Sequence, residues 1–162
     1  MYWEQILGSS IEVAIAIAGF SGIIAVFGQR DAGEWRAADQ LRLRILITAS
    51  GVALLFSMTP FIALDAGVSA ELFWRVGSGL QATWLVSIFV IRIRQAARSG
   101  AANVLRIPLL LPINLLSVIA LVTNAAFYGV SWLYVIGVMF QLSIAFITFS
   151  SLLLDLWEDD AT

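Results

Sequence analysis

From residue 107 to residue 156 the chain runs through 50 residues that are apolar almost throughout. As one helix this tract would be ~75 Å long, more than twice the ~30 Å hydrocarbon core of a bilayer. A soluble chain of 162 residues has nowhere to hide it, because a domain of that size buries only about two-thirds of its surface. The tract therefore has to fold back inside a membrane. The place is marked by Tyr128-Gly129-Val130-Ser131-Trp132-Leu133-Tyr134. Gly and Ser permit a turn there, and the aromatic rings suit a membrane boundary. The short connection predicts an antiparallel pair of helices.

Three further stretches reach the ~20 apolar residues that a crossing requires. Spans are expected over residues 6–27, 43–64, 72–91, 107–127 and 132–156, with a basic extension of the third as far as Arg98. The fold class that follows is all-α: an integral membrane bundle of five transmembrane helices, forming one membrane domain over residues 1–162. Composition agrees. The chain is 60% hydrophobic and 12% charged, where soluble domains carry about a quarter charged residues. Eight of the nine Arg cluster on one side: Arg30, Arg36, Arg42 and Arg44 around the first connection, and Arg92, Arg94, Arg98 and Arg106 around the third. The positive-inside rule makes that side cytoplasmic, which puts the N-terminus outside and the C-terminus inside. The start Met1-Tyr2-Trp3-Glu4-Gln5 lacks the positive charge of a cleavable leader, so the first helix is expected to be retained.

What is missing narrows the chemistry. The sequence has no Lys, no His and no Cys. This removes Schiff-base chemistry, disulfides, thiol nucleophiles, zinc sites of the ordinary kind, and haem or iron–sulfur ligation by His or Cys. No base stands ready to activate the many Ser and Thr hydroxyls. Neither an enzymatic activity nor a cofactor nor a metal site is expected.

Function then rests on polar residues inside apolar helices. Glu12 lies about two turns inside the first helix, and an intramembrane carboxyl is by default a functional candidate with a partner to be named. Arg75, Gln81, Asn124 and Gln141 fall in the same half of the membrane. Arg75 is the best ionic partner for Glu12, although Glu71 competes for it from one turn earlier. Three readings stay open: a buried Glu12–Arg75 pair that fixes packing, a proton or cation site at Glu12, and a carboxyl in an aqueous vestibule or at a shallower depth than two turns. The fourth helix carries Asn114, Ser117, Asn124 and Tyr128 at helical spacing. The fifth carries Gly137, Gln141, Ala145, Thr148, Ser151 and Asp155. Such stripes either hydrogen-bond other helices or line water. Ser10, Ala14, Ala18 and Gly22 give the first helix a small-residue stripe for close packing, within the monomer or between subunits.

Pro60 should kink or terminate the second helix and free carbonyls that need partners. Pro108 and Pro112 suit the first turns of the fourth. Arg92, Arg94 and Arg98 either hold anionic lipid headgroups or serve only as a topology signal.

The run Ile15-Ala16-Ile17-Ala18-Gly19-Phe20-Ser21-Gly22-Ile23-Ile24, the later Arg42-Leu43-Arg44, and Glu71-Leu72-Phe73-Trp74-Arg75 opening a helix together resemble small multi-pass membrane proteins of bacteria whose function is unknown. The resemblance implies a bacterial cytoplasmic membrane location and no activity.

Two functions compete. One is a homo-oligomeric channel or small transporter for an ion or proton, suggested by Glu12, the polar stripes, and a chain too small to enclose a pathway alone. The other is a non-conducting scaffold, accessory subunit, or defence or stress-system membrane module. Expected partners are the lipid bilayer and further copies of the chain, with no nucleic acid.

Overall fold

The structure is a computed structural model that describes residues 2–31, 37–99 and 110–159. Among these residues it is entirely helical, with five helices and no strand. They are α1 (Tyr2–Asp31), α2 (Ala37–Asp65), α3 (Ala70–Ser99), α4 (Leu110–Thr123) and α5 (Ser131–Asp159). One π-helical turn, Asn124–Tyr128, continues α4. Three helices contain a stretch long and apolar enough to cross a membrane: Tyr2–Ile23, Arg42–Asp65 and Ser131–Ser151. The apolar part of α4 and its π turn, Pro112–Tyr128, is shorter. At 30 residues α3 matches α1 in length, but Glu71, Arg75, Gln81, Arg92, Arg94 and Arg98 dilute its apolar character. The chain is thus a membrane protein by its helices.

Each connection has a local chemical cause. At the end of α2, Gly67 takes a left-handed φ of 84°. Its N–H donates to the Leu64 carbonyl at 3.1 Å and that of Val68 donates to Ala63 at 3.0 Å. This pair of bonds closes a helix C-terminus around a glycine free of the Cβ penalty. The Ser69 carbonyl accepts the first bond of the next helix from Phe73 N–H at 3.0 Å. Pro60 does not end α2, contrary to one of the two sequence expectations, and is buried inside the helix. Having no N–H, it cannot bond the Phe56 carbonyl one turn back. The Thr59 hydroxyl donates to that carbonyl instead, at 3.1 Å.

The chain divides into two compact units, residues 1–59 with 141–162, and residues 60–140. In the first, Ile17 of α1, Leu46 and Ala49 of α2, and Ala145 of α5 form a buried cluster flanked by Ile144 and Phe149. Phe20 and Phe149 stack at a 6.4 Å ring separation. Among the described side chains of α1 the buried ones are Leu7, Ser10, Ala14, Ile17 and Ser21, alternating by three and four. That spacing keeps one narrow face inward. In the second unit, Phe73 and Trp74 of α3 and Tyr134 of α5 form an aromatic triad with ring separations of 5.0, 5.4 and 5.7 Å. Gly77 lies under the Tyr134 ring, where a Cβ would stand 2.9 Å from Cε2.

Candidate functional site

The polar residues singled out in the sequence fall into two settings. The first is an interhelical network inside residues 60–140. Asn124, fully buried in the π turn, acts as a substitute peptide. Its Oδ1 accepts from Val130 N–H at 2.8 Å, while its Nδ2 donates to the Val130 carbonyl at 2.9 Å and to Ser78 Oγ at 2.8 Å. Its own backbone carbonyl accepts from Gly129 N–H at 2.9 Å, the five-residue bond of a π turn. One side chain thereby closes the α4–α5 turn and fastens it to α3. Gly129 is required there for two reasons. Its φ is +60°, and a Cβ would stand 2.9 Å from Glu71 Cγ and 3.1 Å from Arg75 Cγ.

Gln81 is buried against α5 one helical level away. With its amide turned to match its neighbours, Nε2 donates to the Tyr134 carbonyl at 3.2 Å and Oε1 accepts from Val138 N–H at 3.1 Å. The approach depends on Gly137, where a Cβ would fall 2.5 Å from the Gln81 amide and 2.9 Å from Leu121. Arg75 completes this end. Its Nη2 meets Glu71 at 2.9 Å and donates to the Phe127 carbonyl at 3.3 Å. Sequence reasoning found Asn124, Gln81 and Arg75 because they are polar in apolar surroundings. It missed Ser78, and it placed Tyr134 among the boundary aromatics. Tyr134 is instead fully buried, while Tyr128 and Trp132 are exposed.

The second setting is the unit built from residues 1–59 and 141–162. Here hydroxyls bond carbonyls of their own helices: Ser10 to Ile6 at 2.7 Å, Ser21 to Ala18 at 2.7 Å, Ser50 to Leu46 at 2.8 Å, and Thr148 to Ile144 at 2.8 Å. Gln141 is only 2% exposed, and neither of its amide atoms has a partner; the Ser57 hydroxyl is also unpartnered.

Glu12 corrects an expectation. It is exposed, which speaks against the reading of a buried carboxyl, and Arg75 bonds Glu71 and the Phe127 carbonyl. The reason lies in helical phase. Glu12 is two residues from both Ser10 and Ala14, about 200° round the helix from each, and those two define the buried face. The small-residue stripe of α1 is divided in the same way: Ser10 and Ala14 are buried, Ala18 is half-buried and Gly22 is exposed. Space is open where a Cβ would stand at Gly8, Gly19 and Gly22.

The remaining candidates are scattered. Asn114 is half-buried with an unpartnered Oδ1, and Arg94 is exposed. Arg92 and Arg98 lie on α3 and Asp155 on α5, with side chains outside the described residues. No family model, no curated protein and no solved structure matches this chain.

Proposed function

We propose that the chain is a five-span membrane module, N-terminus outside, in a bacterial cytoplasmic membrane, and that it works by assembling with further copies of itself through the outward face of α1. One observation carries this reading: Glu12 is an exposed carboxyl in the middle of an apolar helix. A carboxyl facing hydrocarbon is costly and calls for a partner or for water. The open space at Gly8 and Gly19, at spacings of four and seven residues from Glu12, gives a second helix room to approach closely.

The assembly is a non-conducting scaffold or accessory subunit. Support comes from the interior polar groups, since Asn124, Ser78 and Gln81 are engaged between helices and the Thr148 hydroxyl bonds its own helix. These groups serve as glue. The competing reading, a homo-oligomeric channel or small transporter for an ion or proton, is favoured by Glu12 itself, because copies meeting along α1 would share that carboxyl.

With no native Cys, single-cysteine cross-linking in native membranes gives a clean test. A Cys replacing Gly19 should form dimers, and one replacing the buried Ala14 should not. Absence of dimers at every outward α1 position would sink the assembly. Ion and proton flux in liposomes separates the two activities. Background flux in wild type and Glu12→Gln supports the scaffold. Flux that is present in wild type and lost in Glu12→Gln establishes the channel.

A further inference from the structure

The end of the second unit where α3 begins and α4 turns into α5 carries a pattern of charge and aromaticity that the interior network does not explain. Phe127, Tyr128 and Trp132 are 73%, 62% and 61% exposed. Tyr and Trp collect at the headgroup level because their rings are apolar with one polar edge. Beside these rings stand the paired charges of Arg75 and Glu71. The Arg75 side chain is 38% exposed and that of Glu71 69%. Their contact spends only part of either group. Arg75 uses Nη2 for Glu71 and for the Phe127 carbonyl and its Nε is buried, which leaves Nη1 of the guanidinium's three nitrogens uncommitted. Glu71 uses Oε1 alone in that pair.

We propose that this surface seats one zwitterionic aminophospholipid headgroup, with its phosphate on Arg75, its ammonium on Glu71 and its glycerol level against Tyr128 and Trp132. A planar guanidinium suits phosphate oxygens. A neighbouring carboxylate suits an ammonium, which carries three donors. An anionic headgroup fits less well, because it offers nothing to Glu71 and meets its charge. The Phe127 carbonyl and the close packing of Glu71 and Arg75 on Gly129 hold both charged side chains at one height, so the seat is built before the lipid arrives.

The test uses the full chain released from nanodiscs and titrated with phosphatidylethanolamine, phosphatidylcholine or phosphatidylglycerol, with bound lipids counted by native mass spectrometry. Wild type is expected to retain phosphatidylethanolamine about fivefold better than either other lipid, the effect of about one headgroup charge near a surface. Arg75→Gln should remove that preference. Glu71→Gln should invert it towards phosphatidylglycerol, which a merely structural role for Glu71 would not do. Arg94→Gln, towards the opposite end of α3, should leave it intact. Equal retention of all three lipids by wild type overturns the proposal, even if both site variants misfold. So does a preference that survives Arg75→Gln and Glu71→Gln, or one that Arg94→Gln also abolishes.

Discussion

The two compact units differ in how they treat their fully buried side-chain amides. Between residues 60 and 140, side-chain amides reach across helices and bond main chain: Asn124 to Val130, and Gln81 to Tyr134 and Val138. In the other unit Gln141 is buried without a partner and Glu12 faces outward; hydroxyls fold back on their own helices in both units, Ser50 in this one and Thr83 and Thr123 in the other. Helices without cross-bonded amides can slide and repack at little cost, whereas an amide locked onto another helix fixes register. The first arrangement suits a surface that meets partners; the second suits a scaffold.

Substitutions can break that contrast. Asn124→Leu should have the largest effect, lowering stability by about 2–3 kcal/mol in mixed-micelle unfolding, since the half-buried N–H and C=O of Val130 and the buried Ser78 hydroxyl lose their partner. Gly129→Ala and Gly137→Ala should each cost about 1–3 kcal/mol, the first through a strained positive φ and both through overpacking. Double-mutant analysis of Gly137→Ala with Gln81→Leu should show strong coupling, because the alanine displaces that amide. Gln141→Leu should act in the opposite sense and stabilise by up to about 1 kcal/mol, as an unpartnered buried amide gives way to an apolar chain. A loss on Gln141→Leu as large as that on Asn124→Leu would erase the contrast. Glu12→Leu changes an exposed side chain and should act on assembly, abolishing the cross-link at residue 19.

How much of this is legible in the sequence depends on the signal each residue carries. The fold-back of the 107–156 tract follows from length alone, and the observed turn at Gly129 and Val130 falls inside the stretch marked for it. Asn124 and Gln81 stand out because amides are rare in apolar helices. The direction of Glu12 does not stand out. With apolar residues all around α1, no periodicity says which face turns inward, and depth alone suggested a partner in Arg75. Ser78 and Gly77 are equally silent. Small residues in a membrane helix are common, and only the position of Tyr134 and Asn124 opposite them gives them a task.

The Asn124 clamp also has a consequence for how the chain is made. When α4 leaves the ribosome its amide can already meet Ser78 on α3, but its main partner, Val130, lies just beyond the helix. The 29 residues of α5 follow, which at about 5–20 residues per second takes a few seconds. During that interval α4 is a short helix still lacking α5, whose Gly137 lies against Leu121, and it is a poor occupant of lipid on its own. The two helices should therefore enter the bilayer as a hairpin, and a truncation after Tyr128 should leave α4 accessible to aqueous labelling reagents.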